Sequence, residues 1–113
     1  MNTLEVLQAA RALITNPDHW CKGAYARDAA GNHADETSPA ATQWCAAGAI
    51  YAVIEQEIIH RTALRTEAFD RLIAVCAANM PGPKIVYVNA EEGHAAVLAM
   101  YDRAIAATEQ EES

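Results

Sequence analysis

Leu4, Leu7, Arg11 and Ile14, flanked by Val6, Ala10 and Leu13, recur at spacings of three and four, the stripe of an amphipathic helix. Asn2 stands at the cap position with Glu5 three residues on, and Asn16-Pro17 stops the pattern. From Trp20 to Asp28 the helical period disappears. Asp28-Ala29-Ala30-Gly31 carries Asp at the first and Gly at the last position of a type I turn, which predicts a short hairpin with Tyr25 and Arg27 on one face of its first strand. The polar stretch His33 to Thr37 reads as a loop or a weak returning strand. Ser38-Pro39 reads as a helix start, Ser as cap and Pro at the first helical position, and the second helix is expected to run to about Arg61. One of its faces, Ala41, Cys45, Gly48, Ala49 and Ala52, holds only small residues. Gly in a helix costs about 1 kcal/mol relative to Ala, so Gly48 is expected to admit another backbone at close range.

A third helix is predicted from near Thr66, presenting Phe69, Leu72, Ile73, Cys76 and Met80 until Pro81-Gly82-Pro83 ends it. Ile85 to Val88, four β-favouring residues in a row, predict a strand covered on both faces. Asn89 then leads into a last helix whose Val97, Leu98, Tyr101 and Ile105 face inward. The expected fold is α+β: about four helices packed on a small two- to three-stranded sheet, one compact domain over residues 1–108, with 109–113 an acidic, frayed tail.

Composition sharpens this picture. A chain of 113 residues supports one core. Of its 59 apolar residues 26 are alanine, so the core is thin, its helices pack closely, and an all-β architecture is excluded. Eight basic against fifteen acidic side chains give a net charge of −7, which disfavours direct contact with nucleic acid or an anionic membrane. No segment is apolar for long enough to span a bilayer, and no basic-then-apolar leader opens the chain, so a cytoplasmic location is expected. Cys21, Cys45 and Cys76, odd in number and widely spaced, read as reduced thiols filling small core sites.

Three sets of residues carry candidate chemistry. Trp20-Cys21 and Trp44-Cys45 repeat a Trp-Cys pair. They either fill volume that alanine leaves or line a shared pocket in which Cys45, given a histidine to stabilise its thiolate, would be a nucleophile. His19, His33, His60 and His94 offer no diagnostic spacing; His19 and Cys21 lack a matching second pair for zinc, and no metal or cofactor is expected. His60 and His94 read as surface residues near helix ends. Tyr25, Arg27 and Asp28 on the hairpin would take a small anion or a partner's strand, the alternative being that Asp28 serves the turn and Arg27 pairs with carboxylates. Gly23 and Gly31 fit no phosphate-binding loop.

Taken together, Trp20 with Gly23-Ala24-Tyr25-Ala26-Arg27-Asp28, Trp44-Cys45-Ala46-Ala47-Gly48-Ala49, Val88-Asn89, Val97-Leu98 and Asp102-Arg103-Ala104-Ile105 make a pattern that resembles a family of small uncharacterised bacterial and phage proteins. That resemblance implies a compact α+β fold and a mobile-element origin, and supplies no reaction. The leading expectation is therefore a non-enzymatic interaction module that occludes an unidentified protein partner, a host defence or nucleic-acid-handling protein with a basic groove. Trp20, Tyr25, Arg27, Asp28, Asp35, Glu36, Trp44 and Cys45 are the candidate contact residues. The alternative is a small-molecule-binding domain or small enzyme with its pocket between the hairpin and the second helix.

Overall fold

The computed structural model describes residues 1–55 and 61–112. Helix α1 (Thr3–Leu13) opens with the expected capping box: Asn2 Oδ1 accepts from the Glu5 N–H at 2.8 Å, and Glu5 Oε1 accepts from the Asn2 N–H at 3.0 Å. Its stripe of Val6, Leu7, Ala10 and Ile14 is fully buried, and α1 packs against three helices: α2 (Ala46–Ile54), α3 (Arg61–Ala74) and α5 (His94–Glu112). A core rich in alanine permits such close helix packing, and the radius of gyration is 13.3 Å. Among the described residues the molecule is a single α+β domain with five helices and one two-stranded sheet.

That sheet pairs β1 (Ala26–Asp28) antiparallel with β2 (Ala41–Trp44). The Asp28 turn forms as expected, with the Gly31 N–H bonded to Asp28 O at 3.0 Å. His33, on the returning side, contributes a single bridge to Arg27. The main partner is the segment expected to begin the second helix. Ser38-Pro39 instead makes a turn in which Ser38 Oγ accepts from Ala40 N–H and Ser38 O from Ala41 N–H. Extended pairing of Ala41–Trp44 satisfies the backbone of β1, and this outweighs the local helix signal. The helix starts at Ala46, with Cys45 as its cap. Its expected run toward Arg61 crosses residues 56–60, outside those described.

The predicted strand Ile85–Val88 is a correction. Residues Lys84–Tyr87 form a helical turn, α4, continued by a π-helical turn over Val88–Glu92. An isolated strand at this place has no ladder to join, whereas a helical turn starting at Pro83 directs Ile85 and Val88 inward together and leaves Val86 outside. The sheet accordingly has two strands. Residues 109–112, expected as a frayed tail, are the last turn of α5, where Glu111 pairs with Arg71 of α3. No helix among the described residues is long and apolar enough to cross a membrane.

Candidate functional site

A cleft of about 460 Å³ opens between the loop entering β1, the first turn of α2 and the α4/π-turn segment. Gly23, Ala24 and Tyr25 supply the wall from the loop, Ile85, Val86, Asn89 and Ala90 the wall from the α4/π-turn segment, and Cys45 and Ala47 the part from the start of α2, with His33 also on the lining. None of these described lining residues is a carboxylate, a lysine or an arginine. Tyr25 and Val86, 55% and 57% exposed, are two large apolar residues that line the cleft from separate elements, the Tyr25 ring also meeting Tyr51 edge-on at 5.4 Å.

Asn89 organises the site. Cys21 N–H donates to Trp44 O at 3.2 Å, a rung of the isolated parallel bridge that aligns Trp20 with Trp44. In a continuing parallel ladder the next rung would join Ala46 N–H to Cys21 C=O. The Asn89 carboxamide occupies that rung: Oδ1 accepts from Ala46 N–H at 2.9 Å, and Nδ2 donates to Cys21 O at 3.1 Å. Oδ1 also accepts from Trp20 Nε1 at 2.7 Å. One buried side chain thus ties the 20–21 segment, the start of α2 and the π-turn together. The π-turn is what places it there, since the extra residue in the turn carries position 89 inward beside Val88. Tyr101, fully buried, locks the same helix start from below by donating its hydroxyl to Ala46 O at 2.7 Å.

The wall over Gly23–Tyr25 is held from behind. Arg27 donates from Nε and Nη2 to Lys22 O at 3.3 and 2.9 Å, and from Nη1 to Gly31 O at 2.8 Å. Its guanidinium is spent on backbone carbonyls, not on carboxylates. Gly23 has φ +77°, and a Cβ there would lie 3.2 Å from Arg27 Nη2, so glycine suits the wall on both counts. Asp28 serves the turn, its Oδ1 accepting from the N–H groups of Ala30 and Asn32. Asp35 accepts from both the hydroxyl and the N–H of Thr37, and these bonds hold its carboxyl below the usual range. The rim is spanned at the other end by Lys22 Nζ, 3.5 Å from Ala90 O.

Of the eight candidate residues, the structure places Tyr25 and Cys45 on the cleft. Trp20 and Trp44 stand behind it, half-buried, their indole N–H groups bonded to Asn89 Oδ1 and, at 3.0 Å, to Glu36 O. Arg27 and Asp28 brace the hairpin, and Asp35 and Glu36 lie in the loop before β2. Cys45 Sγ caps α2, accepting from Gly48 N–H at 3.2 Å. Burial pushes its thiol up despite the lowering influence of the Gly48 and Ala47 amides, and burial also pushes Cys21 up to about 11. A resting thiolate is therefore disfavoured at both positions. His94 departs from the expected surface role: it is half-buried, its Nε2 lies 2.7 Å from Ile14 O at the end of α1, and its ring is 5.4 Å from Trp20. Asn89 and Val86 were not among the sequence candidates. The run Ile85–Val88 reads as a strand, which hides the turn that turns Asn89 in and Val86 out.

Residues 1–107 match the model of a family of unknown function. The chain belongs to that family, DUF6197. No curated protein and no solved structure matches the chain. In this member of DUF6197 the matched span takes in both walls of the cleft, the Asn89 tie and most of α5.

Proposed function

We propose that this protein is a non-enzymatic interaction module whose cleft receives an apolar side chain presented by a basic segment of a protein partner. The observation that carries the reading is the pair of exposed apolar lips, Tyr25 and Val86, over a cleft whose lining holds no carboxylate, lysine or arginine. Isolated exposed apolar residues are ordinary, but two that line one concavity from separate elements mark a place where burial stabilises a complex. Two polar side chains of the lining are engaged in the fold: Asn89 makes three hydrogen bonds, and the Cys45 thiol, kept protonated by burial, caps a helix. Net charge of −7, with Glu91 and Glu92 directly after the lining residue Ala90, favours a basic partner and a salt-sensitive on-rate. The resemblance to bacterial and phage proteins makes occlusion of a host defence or nucleic-acid-handling protein the finer form of this reading.

A photo-crosslinking residue at Val86, compared with one at exposed Ala12 on α1, tests it in the native host. A partner captured from position 86 and lost on Tyr25→Ala is expected, with association slowing as salt rises. Equal capture from position 12, or association indifferent to Tyr25, refutes the docking site. The cleft volume, within the range of small-ligand pockets, favours one second reading, a neutral apolar small molecule in the same place. A ligand-observed NMR screen separates the two, because fragments displaced by Val86→Glu would show small-molecule occupancy without any protein.

A further inference from the structure

We propose that Cys21 and Cys45 are the two halves of a reversible intramolecular disulfide that controls the cleft. The Cys21 N–H to Trp44 O bond belongs to an isolated parallel bridge between Trp20 and Trp44, and Cys21 and Cys45 are the residues that directly follow that pair on the two segments. Just beyond them the Asn89 carboxamide bridges Cys21 O and the N–H of Ala46, the residue after Cys45, and fixes the two segments relative to each other. Because the Cys21 N–H bonds the carbonyl of the peptide that enters Cys45, the two Cα atoms are held on the order of 5–7 Å apart, at the reach a disulfide accepts. Consistent with that closeness, Cys45 is among the groups whose charge raises the Cys21 thiol. Cys76 stands apart, bonded to Leu72 O and Met100 Sδ on the other side of the core.

The two thiols are not equivalent. Cys45 lines the cleft, while Cys21 is 6% exposed and donates its S–H to Ala24 O. A low-molecular-weight disulfide such as oxidised glutathione meets Cys45 first. The Cys45 thiolate attacks one of its sulfurs and expels one thiolate, and the Cys21 thiolate then attacks the Cys45 sulfur and expels the second. The protein gives up two protons and two electrons, and the oxidant leaves as two thiols. Burial keeps both groups protonated near neutrality, so the reaction is slow at pH 7 and accelerates toward pH 9.

The consequence for the cleft rests on the proposed binding role. The Gly23–Tyr25 wall follows directly from Cys21, and a covalent tie to Cys45 draws it against the first turn of α2, narrowing the space above Ala47. Native protein titrated with oxidised glutathione, alkylated and digested, should lose two hydrogens in mass and yield a peptide pair linking Cys21 to Cys45. Cys21→Ser should stall with one glutathione on Cys45, and Cys76→Ser should behave as wild type. A link to Cys76, or a Cys21–Cys45 link that forms only in denatured protein, overturns the pairing. An apolar fluorescent probe, bis-ANS, then reads the cleft: oxidised protein should bind about tenfold more weakly than reduced, a difference worth one buried apolar contact. Equal binding by the two forms overturns the control and leaves the cleft standing. No binding by either form, with the disulfide made, removes the cleft reading and leaves the pairing standing.

Discussion

Gly48→Ala sets two effects of opposite sign against each other. In an exposed helix interior the change would stabilise by about 1 kcal/mol. Here an added Cβ would overlap the Tyr25 carbonyl oxygen and lie 2.8 Å from its carbonyl carbon. Carbon atoms pack at about 3.5 Å or more, so the Tyr25 peptide must retreat on the order of an ångström. That peptide accepts the Cys45 N–H at 3.1 Å, the bond that joins the end of β2 to the cleft wall. Losing it costs about 1–3 kcal/mol, and forcing a methyl into a filled space costs a comparable amount. The net expectation is a destabilisation of about 2–4 kcal/mol, or roughly 8–16 °C in Tm for a domain of this size. Urea denaturation followed by the fluorescence of Trp20 and Trp44 measures it. Gly82→Ala is the reference: its φ is +61° with nothing within 4 Å of the added Cβ, so it loses only the strain of a left-handed residue, about 1 kcal/mol. A Gly48→Ala protein as stable as wild type, or more stable, refutes the close approach and shows that helix propensity outweighs it.

Asn89→Asp keeps the acceptor for Trp20 and Ala46 but turns a second carboxylate oxygen toward Cys21 O. The penalty is expected at about 2–4 kcal/mol at pH 7. Its folded pKa is then raised above the unfolded value of about 3.9, so the penalty grows as pH rises through that value, levels off above the folded pKa, and shrinks in acid, where the protonated carboxyl donates to Cys21 O. Denaturation midpoints flat across pH 3–7 relative to wild type would contradict this. Arg27→Lys retains the charge but not the fork that reaches both Lys22 O and Gly31 O, and should cost about 1–2 kcal/mol with faster amide exchange over residues 22–25. Exchange unchanged there would mean the wall stands without the guanidinium. Asp102→Asn breaks the Arg11 pair at 2.5 Å between α1 and α5, yet Asp102 is 56% exposed, so a loss below about 1 kcal/mol that fades in high salt is expected by thermal melting.

Local chemistry settled much of this protein in advance. The capping box at Asn2 and Glu5, the stripe of α1 and the Asp28 turn each depend on neighbours within one or two turns of chain and stand in the structure as read. The small-residue face around Gly48 announces a close approach, but the backbone that makes it, at Tyr25, is distant in sequence. Two segments were decided elsewhere. Ala41–Trp44 carries an acceptable helix start, but the unpaired edge of β1 lies across from it, and pairing satisfies more backbone than a first helical turn would. Ile85–Val88 has strand composition and no strand to join, so it coils, and the π-turn that follows carries Asn89 into the core. The cleft follows from those two reversals. Its lips, Tyr25 and Val86, are 61 positions apart in the sequence and share no period, and its central amide fills a ladder rung between Cys21 and Ala46 that exists only once the chain has folded. Hydrophobic patterning reports which residues are buried. It carries no record of which distant backbone groups lack a partner, and in this fold that shortage is what placed Asn89 and shaped the cleft.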